Sequence, residues 1–164
     1  MTKFDRWVLA TAVLAGIGGA VLIDLHLCVT DTFIFRNATP LLVMQWDASN
    51  ALGSAAYQGG WATAALGTLM HFIVSILWAA VFVTAAMRYR WLATRPILSG
   101  ALLGVVAMAV MRAVIHFGHA IVRPFPAFEY FLNLVVAHVV FFGIPVALIV
   151  AARLARLSSY GRAA

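Results

Sequence analysis

The stretch GALLGVVAMAVMRAVIHFGHA, residues 100–120, decides how the chain is read, because it is apolar enough to cross a bilayer yet carries Arg112, His116 and His119. A segment of about 20 apolar residues spans a bilayer as a helix, and three more runs of this kind can be marked. The expected spans are about 7–29, 63–87, 96–117 and 129–152. With 65% hydrophobic and only 10% charged residues in 164, the composition excludes a water-soluble domain. Little chain is left for anything else. The reading is therefore all-α: a single four-span transmembrane domain over 1–164, a four-helix bundle with an external loop at 31–60.

Lys3 and Arg6 ahead of the first apolar run resemble the start of a signal peptide, but that run is longer than a typical signal core and reads as an uncleaved first span. Orientation follows from the basic residues. Lys3, Arg6, Arg88, Arg90, Arg95, Arg153, Arg156 and Arg162 fall on one side, against Arg36 and Arg123 on the other, so both termini are expected in the cytoplasm. The net charge of +6 is then a topology signal with anionic-lipid contact, and it does not point to nucleic acid. The single cysteine, Cys28, excludes a dithiol redox enzyme. No phosphate-cradling glycine loop, HExxH or CxxC occurs, the methionines are too scattered for a copper path, and no motif assigns an enzymatic reaction. Trp7, Trp46, Trp61, Trp78 and Trp91 read mostly as interfacial anchors. The Asn37-Ala38-Thr39 glycosylation match carries no weight.

The external loop holds only three charged groups, Asp31, Arg36 and Asp47. Thr39 before Pro40 is a helix start, proline being pre-set for the first helical position. Leu41, Leu42, Met44, Ala48, Ala51, Leu52 and Ala55 supply an apolar side and Gln45, Asp47, Ser49 and Asn50 a polar one, which predicts an interfacial helix on the outer surface. Gly59 and Gly60 turn the chain into the second span.

Depth gathers the polar residues of the spans. Asp24, His26, Arg112 and His116 fall near the outer ends of spans that run outward, and His71 and His138 lie about 12 Å below the outer surface by the helical rise. Small residues share their stripes at four-residue spacing: Ala12, Gly16, Ala20 with Asp24; Thr63, Gly67 with His71; Gly100, Gly104 with Arg112 and His116. These side chains are thus expected to face other helices. Asn133 and His138 are five apart, roughly 140° around an α-helix. An arginine inside a span costs about 2.5–3.5 kcal/mol on insertion scales, so Asp24 is the expected counter-ion of Arg112. Each group also has a plainer reading: Arg112 snorkelling, His116 and His119 solvated at the interface, an Asp24–Arg112 clasp, and histidines that only hydrogen-bond a neighbouring helix.

The run QWDASNALGSAAYQGGWATAALGTLMHF (residues 45–72), Arg95-Pro96 before a glycine-rich span, NLVVAH (133–138) and Gly143-Ile144-Pro145 resemble a functionally uncharacterised family of small four-helix bacterial inner-membrane proteins. The likeness covers most of the chain and is most specific over AYQGGWATAALGTLMHF (56–72). It implies a fold and a bacterial inner-membrane location, but no activity. Asp24, His71 and His138 match the pattern of that group; Arg112, where its members tend to carry asparagine, departs from it, as do His26, His116 and His119.

Three function classes follow. One is a site that binds or transports a small ligand, lined by Asp24, His71, Arg112, His116 and His138: an anion, a proton-coupled substrate or a lipid-soluble molecule. The second is a haem or transition-metal protein with His71 and His138 as ligands and Arg112 against the propionates. The third is an accessory subunit that packs on a larger membrane complex or on itself, with lipids around it.

Overall fold

The computed structural model describes residues 2–117 and 127–160. His119, Arg123 and Arg162, which entered the sequence reading, lie outside the described residues. No strand occurs among those described, and four helices are long and apolar enough to cross a membrane: Phe4–Ile34, Gly60–Arg88, Pro96–Phe117 and Phe128–Leu157. The chain is an all-α, multi-pass bundle, with spans where the apolar runs placed them.

Helix α1 (Lys3–Val29) begins in a reciprocal cap. The Asp5 N–H donates to Thr2 Oγ1 at 3.1 Å and the Thr2 N–H to Asp5 Oδ2 at 2.8 Å, which satisfies two otherwise orphaned donors. At its outer end α1 widens into a π-helical turn, Thr30–Ile34, closed by the Phe35 N–H on the Thr30 carbonyl at 2.9 Å. Helix α2 (Pro40–Leu52) forms the expected loop helix, with Thr39 Oγ1 accepting from the Leu42 N–H at 3.3 Å and Pro40 in the first turn. After a 3₁₀ segment, Gly53–Gln58, the chain enters α3 (Gly60–Arg88). Gly60 takes φ 56°, a left-handed conformation that suits glycine at this turn. A short α4 (Trp91–Thr94) joins α3 to α5 (Pro96–Phe117). The fourth span consists of α6 (Phe128–Val136), a π-helical segment Ala137–Gly143, and α7 (Ile144–Tyr160). Pro145 accounts for the irregular turn: it has no N–H and its ring clashes with the carbonyl four residues back. The backbone answers with longer bonds such as the Ile144 N–H to the Val139 carbonyl.

Small residues set the packing order. α1 lies between α3 on one side and the fourth span on the other, α5 packs on the fourth span, and α2 lies along α3. A Cβ on Gly16 would strike the Ile76 backbone, and one on Gly100 or Gly104 would strike the backbone of Ile144 or of His138 and Val139. Lipid is as apolar as leucine, so membrane helices associate through such close backbone approach. The same logic leaves Leu77 59% and Val81 62% exposed, facing hydrocarbon.

The loop helix departs from its expected posture. Instead of keeping its polar side in water, α2 buries Gln45 and Ser49 together with Val43 and Ala48. Gln45 Nε2 donates to the Gly60 carbonyl at 3.0 Å and to Thr63 Oγ1 at 3.1 Å. Gly67 makes the docking possible, because the Met44 carbonyl of α2 occupies the place a Cβ would take.

Candidate functional site

The docking of α2 brings Asp47 over α3, at the level where α1 and α3 present Asp24 and His71. Oδ1 of Asp24 lies 3.3 Å from Nε2 of His71, and Oδ2 of Asp47 lies 3.6 Å from Nδ1 of the same ring. One imidazole is thus flanked by two carboxylates from two other helices. The side chains of His71, Asp24 and Asp47 keep 19%, 23% and 35% of their surface, so the cluster is recessed but not sealed. The Asp47 carboxyl group is closely surrounded by protein even though a third of the side chain stays open. Burial pushes it up to about 6, His71 opposes that rise and the negative charge of Asp24 adds to it.

Some buried polar atoms on these elements make no hydrogen bond within the protein. Nε2 of His71 is buried and makes no hydrogen bond, the 3.3 Å approach to Asp24 lacking suitable geometry. Oδ1 of Asn50, one turn along α2 from Asp47, is also buried without a partner, as is Oγ1 of Thr32 in the π-turn that packs against α2. Asn50 Nδ2 is used, donating to the Asp47 carbonyl at 3.1 Å. Buried polar groups without a hydrogen-bond partner are uncommon.

A second polar cluster ties α1 to α6. His26 Nε2 donates to Asn133 Oδ1 at 2.8 Å, Asn133 Nδ2 donates to Thr30 Oγ1 at 3.1 Å, and Thr30 Oγ1 donates to the His26 carbonyl at 2.9 Å. The His26 ring stacks on Phe141 with centroids 4.2 Å apart. Beside it Asp31, 0% exposed, accepts from the Tyr130 hydroxyl at 3.4 Å. This cluster closes on itself and has the form of an interhelical clasp.

The expected layer is therefore divided. Asp24 and His71 meet. His138 is near enough for electrostatic interaction with His71, while its Nδ1 donates to the Leu134 carbonyl at 2.8 Å. Arg112 does not pair with Asp24: the fourth span separates α5 from α1, and the ion-pair partner of Asp24 is His71. Arg112 is half-buried on α5, and His116 is exposed, its ring edge-on to Phe117 at 4.9 Å. As for a metal or haem, the two ring nitrogens of His71 face the carboxylates of Asp24 and Asp47, and Nδ1 of His138 is engaged by the Leu134 carbonyl. Among the described residues no three His, Cys, Asp or Glu side chains are placed to hold a metal ion.

Sequence reasoning left three residues out of the site: Asp47, Asp31 and Asn133. Asp31 had a signal, since Asp24, Cys28 and Asp31 follow one another at four- and three-residue steps along one helix face. Asp47 had a weaker one, sharing a face of α2 with Val43 and Asn50. Comparison of the chain with protein-family models, with curated proteins and with solved structures gave no match. The site is read from its own geometry.

Proposed function

We propose that this is a bacterial inner-membrane protein, both termini cytoplasmic, that binds a small polar ligand near its outer face in the recess formed by α1, α2 and α3. The observation that carries this reading is the Asp24–His71–Asp47 triad itself, one imidazole flanked by two carboxylates that come from two other helices and left partly open to the surface. Ionisable groups inside a membrane protein are costly and are kept for function or for a clasp. The orientation is supported by Arg88, Arg90, Arg95, Arg153 and Arg156 at the end opposite the triad. A reporter fused to the C-terminus checks it, green fluorescence being expected and periplasmic phosphatase activity contradicting it.

Thermal unfolding of the purified protein in mild detergent against separate series of inorganic ions, amines, carboxylates and neutral polar molecules tests the binding. At least one series is expected to stabilise the wild type saturably and to lose that effect in His71→Gln. No saturable response to any of them contradicts a ligand site and leaves a hydrated clasp.

A further inference from the structure

We propose that a groove between α5 and the fourth span, at the arginine-rich end of the bundle, binds an anionic phospholipid, with the lipid phosphate at Arg95 and an acyl chain along Ile97, Leu98, Ala101 and Leu148. This site lies at the opposite end of the spans from the triad and does not depend on it.

The corner where α4 meets α5 holds the rim of the groove. Proline restricts the residue before it to non-helical backbone, and Arg95, ahead of Pro96, takes φ -128° and ψ 61°. The Arg95 N–H closes on the Trp91 carbonyl at 3.0 Å, and the hydroxyl of Ser99, a buried residue, donates to the Leu92 carbonyl at 2.7 Å. One turn along, α5 rests on the fourth span at Gly100, where a Cβ would strike the Ile144 backbone. Leu148 stands a turn beyond Ile144. With Ile97, Leu98 and Ala101 it lines a groove of about 590 Å³, and Thr94 and Arg95 complete the lining at the corner.

The walls select a lipid. Ile97 is 66%, Leu98 59% and Leu148 46% exposed, and such surface on a membrane span meets acyl chains. The groove therefore opens sideways into hydrocarbon, where a water-soluble anion gains nothing from its walls. Arg95 and Ala101 are six residues apart, about 9 Å along a helix axis, so a group at Arg95 sits at headgroup level while the walls reach deeper. Trp91, half exposed, marks the same level, tryptophan favouring the membrane–water interface.

Charge selects the headgroup. Arg88, Arg90, Arg95, Arg153 and Arg156 lie at this end with Asp5, whereas Asp24, Asp31, Asp47 and Glu129 lie at the other. Asp5 is engaged in the cap of α1. Arg153 donates to Thr11 Oγ1 at 3.3 Å and lies over the Trp7 ring, and Arg88 lies over the Tyr89 ring. Among the described residues the Arg95 guanidinium has no ion pair or hydrogen bond, which leaves its planar fork of donors to a phosphate. Basic pockets between membrane helices bind anionic headgroups in this way.

The test is thermal unfolding in mild detergent with increasing phosphatidylglycerol, against phosphatidylcholine of the same acyl chains and against inorganic phosphate as the soluble anion. Phosphatidylglycerol is expected to stabilise the wild type saturably, and neither phosphatidylcholine nor phosphate to match it. In Arg95→Gln the half-saturating mole fraction should rise about tenfold, the loss of one charge-assisted contact. Arg90→Gln removes the same charge outside the groove and should leave that value within about twofold. Leu148→Trp fills the groove while keeping Arg95, and should abolish the saturable response. Arg90, Arg95 and Leu148 are all exposed, so none of these changes disturbs the core. Equal weakening in Arg95→Gln and Arg90→Gln overturns the site in favour of diffuse attraction to the surface. Equal stabilisation by phosphatidylcholine overturns the anionic headgroup, and stabilisation by phosphate equal to that by phosphatidylglycerol overturns the lipid. No saturable response to any of the three overturns the proposal outright.

Discussion

Replacing Gly67 by alanine attacks the contact on which the site depends. A Cβ at that position would overlap the Met44 carbonyl oxygen and approach the Ala48 nitrogen to 2.9 Å and the Met44 carbonyl carbon to 3.1 Å. All three are backbone atoms of α2, so no rotamer change relieves them and the helix itself must move. Gly18→Ala is the matched control: its Cβ meets only the terminal Cδ1 of Ile149, at 3.1 Å. Both substitutions gain the same helix propensity, about 1 kcal/mol, so their difference isolates the clash. Overpacking against an unyielding neighbour costs about 1–3 kcal/mol. Near 2 kcal/mol, Gly67→Ala should melt about 4–8 °C below Gly18→Ala in the same detergent. It should also draw Asp47 away from His71 and return its titration toward the ordinary carboxylate range. Equal melting temperatures would refute the docking of α2 on α3, and with it the triad.

Asn133→Ala should lower stability by about 1–2 kcal/mol in an unfolding titration, because it strands His26 Nε2 and removes the donor to Thr30; no loss would show that this network is not formed. For Asp47 the sign of the pH effect is fixed by its raised value. The folded state binds this proton more tightly than the unfolded state between the model value of 3.8 and about 6, so the contribution of Asp47 to stability falls as pH rises through that window and is most favourable below it. Subtracting the pH profile of Asp47→Asn from that of the wild type should show this slope. A difference that is flat, or that rises with pH, contradicts the burial of the carboxyl group.

The spans, the start of α2 and the close-packing glycines were legible in the sequence, because length, a Thr-Pro pair and four-residue spacing are local signals. Neighbour order was not. Depth and face placed both Asp24 and Arg112 correctly along their helices, yet the pairing failed because nothing local says that the fourth span sits between α1 and α5. Asp47 was missed for a related reason: a short helix with mixed faces looks the same lying on the membrane as docked on a span, and Gly67, which decides the matter, stands twenty residues further along. The α-helical period that set Asn133 and His138 on different faces does not carry through the π-helical turns that begin at Ala137. The outer layer thus became two clusters, one around His71 and one around His26.

The central claim, that Asp24, His71 and Asp47 meet across three helices, is tested most directly by following the carboxyl stretch of Asp47 by difference infrared spectroscopy through a pH titration of the wild type, Asp24→Asn and His71→Gln. The account predicts a midpoint near 6 in the wild type, a lower one without the charge of Asp24, and a higher one without the imidazole. A midpoint at about 3.9, the ordinary aspartate value, indifferent to both substitutions, would contradict it.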